Sequence, residues 1–310
     1  MEYIYVSSSY LIMGVMVLIS VAFVTLMEQK ILASSQIRVG PNQVGYWGIL
    51  QSFADAVKLL SKENVKTQSM KMSVYYISPI SGLALAIILW VVYPFDKGGL
   101  EMVFGVLFFM AVSGLSVYPI LTSGWASNCK YSILGSMRAV AQMVSYEVSL
   151  GMVLVSLVWV SGAFSFKGLM EVQYGVWNIV YCLPLGCVWF VSALAETNRT
   201  PYDFSEGESE LVSGFNTEYG ASGFTSIFLA EYASILLMSI LFSCMFMSGV
   251  MSVWTVFKGV LIAFIFVWVR ATLPRYRYDK LMGLAWKSFL PVSLVLFLYY
   301  LGLSVSSVVL

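Results

Sequence analysis

The stretch YIYVSSSYLIMGVMVLISVAFVTLM, from Tyr3 to Met27, runs for 25 residues without a formal charge. A hydrocarbon core of ~30 Å is crossed by about 20 helical residues, so this run is long enough to span a bilayer. Four more uncharged runs follow: Met72 to Phe95, Met102 to Cys129, Val172 to Ala195 and Ser288 to Leu310. Ala139 to Phe166 holds one charge, Glu147, and Tyr219 to Val269 holds two, Glu231 and Lys258, with a break near Met247 to Ser252. Solid apolar runs exclude a membrane barrel, which alternates apolar and polar positions. Helices then remain the way to satisfy every backbone N–H and C=O in lipid. The pattern predicts an all-α polytopic membrane protein with eight transmembrane helices, at about 3–27, 72–95, 102–124, 139–163, 174–195, 222–246, 252–272 and 288–308.

Composition agrees. Of 310 residues 59% are apolar and 11% charged, against about a quarter charged in a soluble domain; the mean hydropathy is +0.84. Histidine is absent, which removes imidazole metal sites, Ser-His-Asp triads and any group titrating near neutrality without a perturbed pKa. Cys129, Cys182, Cys187 and Cys244 form no C-x-x-C pair, so thiolate metal or cluster sites are not expected. The opening Met-Glu lacks the basic region of a cleavable signal, and its apolar stretch is too long for one.

Eight spans put both termini on one side, with loops 96–101, 167–171 and about 248–258. The other side receives loops 28–71, 130–138, 196–218 and 270–287, which carry 14 of the 17 Lys and Arg residues. That bias assigns the longer loops to the cytoplasm or the mitochondrial matrix. Residues 44–62 are not a span. Tyr46, Leu50, Phe53, Val57 and Leu60 recur at helical intervals while Gln51, Asp55, Lys58 and Lys62 take the other face, which predicts an amphipathic surface helix after the Gly40-Pro41-Asn42 turn. It is either a helix packed on the bundle's rim or a lip guiding a lipid-soluble molecule out of the bilayer.

The acidic residues are placed oddly. Loop 196–218 holds Glu196, Asp203, Glu206, Glu208, Glu210 and Glu218 against one base, Arg199. Interleaved Tyr202, Phe204, Leu211, Val212 and Phe215 favour a packed segment over a solvated one, and carboxylates sharing such a site repel one another. Glu147 follows Arg138 by nine residues and Glu231 follows Ser222 by nine, about 13 Å along a helix and so near mid-membrane. An ionised side chain there costs at least ~2.5–3.5 kcal/mol. With no base within a helical turn, each is expected to be protonated or to share a proton through water, as a proton relay requires; a structural Glu bonded to a carbonyl is the plainer alternative. Loop 270–287 brings Arg270, Arg275 and Arg277, suited to anionic partners or lipid headgroups; nucleic acid is not expected as a partner.

Four blocks carry a resemblance: EQKILASSQIRVGPNQVGYWGILQSFADAVKLLSKE (28–63), SNCKYSILGSMRAVAQMVSYE (127–147), AETNRTPYDFSEGESELVSGFNTEYG (195–220) and RATLPRYRYDKLM (270–282). In order, on eight spans, they resemble the subunit 1 family of respiratory complex I, the proton-translocating NADH:ubiquinone oxidoreductase, in its animal mitochondrial form. The resemblance implies a multi-pass protein of the mitochondrial inner membrane, with charged loops in the matrix and termini on the intermembrane-space side. Its partners would be other complex I subunits, including the hydrophilic quinone-module subunits and small membrane subunits, together with lipids. Ubiquinone would be its substrate, with flavin, NAD and iron–sulfur clusters held by partners, so the chain would not be catalytic alone. Carried over, Gln36, Arg38, Asp55 and Lys58 line a quinone tunnel supported by Arg270, Arg275 and Arg277. Glu147, Glu196, Asp203, Glu206, Glu208, Glu210 and Glu231, with Arg138, form a proton relay. The family usually reads Glu-Arg-Lys where this chain has Glu28-Gln29-Lys30. Outside the family, a stand-alone ion-coupled transporter also uses buried acids, but no internal repeat or matched pair of broken helices is present; the related subunit of energy-converting hydrogenases is a third reading.

Overall fold

A computed structural model describes residues 2–64, 70–96, 99–205, 207 and 212–309. In chain order the helices are α1 (Glu2–Ser35), α2 (Gln51–Ser61), α3 (Met72–Leu89), α4 (Gly105–Leu115), α5 (Val117–Ala126), α6 (Lys130–Ser161), α7 (Phe166–Glu171), α8 (Asn178–Tyr181), α9 (Leu183–Glu196), α10 (Ala221–Phe246), α11 (Val253–Thr272), α12 (Tyr278–Leu284) and α13 (Leu290–Val309). Among the described residues there is no strand. The protein is an all-α polytopic membrane protein. Among the described residues seven helical stretches are long and apolar enough to cross a bilayer: Ile4–Ser35, Met72–Val92, Gly105–Ala126, Lys130–Ser161, Ala221–Phe246, Val253–Thr272 and Tyr278–Leu303. α9 is shorter, at 14 residues.

Several helices continue past the charges that end the apolar runs. α1 does not stop at Met27 but carries Glu28 and Lys30 on to Ser35, because Ile31, Leu32 and Ala33 resume the apolar pattern. α6 begins at Lys130 and not at residue 139, and the last span is entered through α12 and a π-helical turn at Ala285–Phe289. The amphipathic helix expected over 44–62 is instead α2, Gln51–Ser61, preceded by a 3-10 turn at Tyr46–Gly48. Gly45, Trp47 and Gly48 all have positive φ, and a Cβ on Gly48 would sit 2.1 Å from the Pro41 carbonyl oxygen. That close return of the chain stops a helix from starting earlier. α2 packs on α1 through Phe53, whose ring meets Phe23 edge-on at 5.8 Å.

The centre of the bundle is formed by α6, α9 and α10, where Trp189, Tyr146, Phe246, Leu150, Leu154 and Leu157 are fully buried. Lipid tails are as apolar as leucine, so burial here gains close packing rather than escape from water. Outward-facing Leu11, Ile12, Val295 and Leu298 stay exposed, as a lipid-facing surface requires. α11 starts with reciprocal Ser252–Thr255 capping, which satisfies two orphan N–H groups at the helix end.

Candidate functional site

The loop after α9 is folded into the bundle. Gln142, buried on α6, donates to the carbonyls of Ala195 and Tyr202, both at 2.7 Å. Ser132 donates to the Phe215 carbonyl at 3.1 Å, and Tyr276 N–H to that of Pro201 at 3.1 Å. Phe204 is fully buried beneath the Arg275 guanidinium, 4.8 Å from its ring. Tyr202 stacks on Tyr276 at 5.7 Å. These bonds fix the position of Arg199, which lies in the same loop and is itself buried.

Arg199 joins two groups of buried charge. Its Nη2 is 3.7 Å from Glu231 Oε2, and its guanidinium lies 4.2 Å over the ring of Tyr232. Tyr232 Oη donates to Glu28 Oε2, and the other oxygen of Glu28 pairs with Arg270 Nη1. Glu28 is only 5% exposed, so its two partners replace the water it has lost. On the other side, Glu231 and Glu196 line one cavity of about 110 Å³ between α3, α5, α6 and α10. Its walls are mostly apolar, with Ser78, Ser116, Ser123 and Ser234 adding hydroxyls. Glu196 Oε2 and Asn198 Oδ1 are buried without a hydrogen-bond partner, although both residues line that cavity. A cavity this large, with two unsatisfied acceptors on its wall, has room for several waters, since one needs ~10–15 Å³. The Glu147 carboxyl packs on α4 so closely that a Cβ on Gly114 would lie 2.8 Å from Oε1.

The polar groups therefore follow one another from Arg270 and Glu28 through Tyr232 and Arg199 to Glu231, which shares its cavity with Glu196. Glu231 has no base within a helical turn but meets Arg199, which is 32 residues earlier in the chain. Asp203 is half-buried in the loop; Glu206, Glu208 and Glu210 lie outside the described residues. Arg138 faces the ring of Tyr278 at 5.9 Å. Of the residues expected near the tunnel, Arg270 joins buried Glu28 and Arg275 covers Phe204, while the others lie apart in exposed or half-exposed positions. Arg38 Nε donates to Gln36 Oε1 at 2.8 Å, Gln51 donates to Asp55 at 3.0 Å, and Arg277 pairs with Asp279 at 3.0 Å. Lys58 is exposed on α2. Among the described residues no group of three or more Cys, Asp or Glu side chains comes together to hold a metal.

Sequence reasoning missed Glu28 and Tyr232. Glu28 ends an uncharged run and so reads as a loop residue; the apolar Ile31, Leu32 and Ala33 after it are the signal that α1 continues. Tyr232 adjoins Glu231 and carries no signal of its own.

Residues 8–301 match the NADH dehydrogenase family. The chain is 50% identical over 306 residues to NADH-ubiquinone oxidoreductase chain 1 of Aedes aegypti, covering 98% of each chain. It is 51% identical over 298 residues to the chain of that name from Locusta migratoria, covering 96% of this chain and 95% of the other. The koala, Phascolarctos cinereus, has one 46% identical over 298 residues, with 94% of each covered. A match over nearly the whole length leaves no part of the buried acidic arrangement outside it, and the chain belongs to the NADH dehydrogenase family.

Proposed function

We propose that this chain is a core membrane subunit of the proton-translocating NADH:ubiquinone oxidoreductase, complex I, in the mitochondrial inner membrane. In this reading it forms part of the ubiquinone route and couples quinone reduction to proton movement. α8 and α9 together make the eighth span, 19 residues from Asn178 to Glu196, or about 28 Å of helix. The longer charged loops face the matrix, and the hydrophilic quinone-module subunits dock there. NADH oxidation and electron transfer through flavin and clusters take place in those partners, and this chain supplies no redox centre.

The observation that carries the reading is the series of charged and hydroxyl groups in contact from Glu28 through Tyr232 and Arg199 to Glu231, with Glu196 lining the same cavity as Glu231. A quinone that takes up two electrons also takes up two protons. The charge change is felt by nearby ionised groups; a unit pair at about 4 Å is worth ~4 kcal/mol at an effective dielectric of ~20. Arg199 and Glu231 at 3.7 Å respond on that scale, and the cavity waters connect the response to Glu196. Gln36, Arg38, Asp55 and Lys58, on or beside α2, lie at the tunnel mouth, with Arg270, Arg275 and Arg277 behind them. Asp203, Glu206, Glu208 and Glu210 connect the loop to Glu196, and Arg138 adjoins the same path.

The test is Glu196→Gln in the assembled complex, reconstituted in vesicles. The isosteric amide cannot carry a proton, so proton uptake and quinone reduction should fall together by about tenfold or more. NADH oxidation by a water-soluble acceptor should be unchanged. Wild-type proton uptake in that variant would overturn the relay.

A further inference from the structure

A groove of about 370 Å³ runs along the outer face of α3 and α5, from Val74 and Thr122 at one end to Leu85 and Leu115 at the other. Val74 and Leu85 are 11 positions apart, about 16 Å along a helix. Ile77 and Tyr118 on its walls are exposed, so this face meets the bilayer. Its serine and threonine hydroxyls are already used. Ser78 bonds the Tyr219 hydroxyl at 2.9 Å, Ser81 donates to the Ser78 carbonyl at 2.9 Å, and Thr122 to that of Tyr118 at 2.9 Å. A partner helix seated there would find none of these protons free to bond it, whereas a hydrocarbon chain needs none. The Val74 end is cationic. Lys71, three residues before Val74, holds its ammonium 3.3 Å over the ring of Trp125, which follows Thr122 by three. The Lys71 N–H donates to the Ala126 carbonyl at 3.1 Å, which ties the two helix ends together at the mouth of the groove. Among the described residues no ion pair takes up the Lys71 charge, and Lys130, exposed at the start of α6, follows Ala126 by four.

We propose that this groove holds an anionic phospholipid, with its phosphate on Lys71 and one acyl chain lying between α3 and α5. Tryptophan sits at the headgroup level of a bilayer, so Trp125 places the ammonium at the depth of a phosphate. An ammonium has three N–H donors, and those turned away from the indole face are left for phosphate oxygens. Basic pockets between membrane helices recognise anionic headgroups in this way. The acyl chain also has a structural consequence. Ser78 and Pro119 line both the groove and the central cavity, so the chain backs the wall that the two spaces share.

The experiment reconstitutes the assembled complex in phosphatidylcholine vesicles containing a trace of photoactivatable lipid, either phosphatidylglycerol or phosphatidylcholine, with the reactive group on one acyl chain. Labelled residues are then mapped by mass spectrometry. Residues of α3 and α5 along the groove should take up the phosphatidylglycerol probe about fivefold more than the phosphatidylcholine probe, the ratio that one basic side chain gives at a membrane surface. Lys71→Met should abolish that preference, and Ser81→Phe, which fills the groove, should lower labelling by both probes. Equal labelling of the groove by both probes in the wild-type complex, or a preference no greater than that at lipid-facing Leu298, overturns the proposal. A preference that survives Lys71→Met also overturns it. Labelling by neither probe does the same and shows a partner helix in the groove. If a variant does not assemble, the comparison of the two probes on the wild-type complex decides.

Discussion

Replacing Arg199 by methionine tests the centre of the buried network. Methionine keeps most of the apolar stem and removes the guanidinium, which lies 3.7 Å from Glu231 Oε2 and 4.2 Å over Tyr232. The two side chains of the ion pair are 8% and 16% exposed, so solvent compensates little. Removing one partner of such a pair costs about 3–5 kcal/mol, because the other charge stays buried. Losing a desolvated cation–π contact adds about 2 kcal/mol. The sum approaches the whole stability of an ordinary domain, about 5–15 kcal/mol, so Arg199→Met alone should assemble poorly. The second substitution Glu231→Gln removes the stranded carboxylate and should restore most of the assembled complex, measured on a native gel. Quinone reduction should nevertheless remain about tenfold or more below wild type, since the relay has lost both members. Arg199→Lys should fall between, because ammonium keeps the charge but not the flat stacking on Tyr232. Wild-type assembly and turnover in Arg199→Met would refute the reasoning.

Two further outcomes are expected. Gly114→Ala places a Cβ 2.8 Å from Glu147 Oε1; the carboxyl end can swing aside, so assembly should be normal while proton uptake in vesicles drops several-fold. Unchanged uptake would remove Glu147 from the path. On the opposite side of the bundle, Lys167 Nζ donates to Glu101 Oε1 at 2.7 Å. That hydrogen bond and charge hold the Glu101 carboxyl below its usual 4.5 and, reciprocally, Lys167 above its usual 10.5. A lowered carboxyl stabilises the fold above 4.5 and loses its effect as pH falls through the lowered value. A raised ammonium acts below 10.5 and loses its effect as pH rises through the raised value. The link between the two loops should therefore be constant from about pH 5 to 10. Because both groups are exposed, Lys167→Met should leave the thermal midpoint at pH 7 unchanged within error; a large drop would show that the pair is shielded by a partner.

The helical spans were legible because lipid tolerates few charges, and a run such as Tyr3 to Met27 has no other use. Their ends were less so. The charge at Glu28 marks a boundary in sequence, but two partners from distant helices, Tyr232 and Arg270, let α1 carry it into the bundle. The start of α2 was hidden for a different reason. Tyr46, Leu50 and Phe53 keep a helical interval across the turn, while the contact that forbids a helix there is between Gly48 and Pro41, a matter of backbone approach. Of the site, Glu147, Glu196 and Glu231 stand out in the sequence by residue type and position, and Glu28 does not. Their order in space is not legible there. Arg199 meets Glu231 only because Gln142 ties the loop across α6, and the hydroxyl pair of Ser78 and Tyr219 joins residues 141 positions apart.

In the proposed function, carboxylates on α1, α6, α9 and α10 share one hydrated path. A high-resolution density map of the assembled complex in a lipid bilayer tests it most directly. Ordered waters should lie between Glu196 and Glu231, bonded to Asn198 Oδ1, with Glu147 turned toward Gly114. A dry cavity, or Glu147 and Glu231 turned out to the lipid tails, would contradict it.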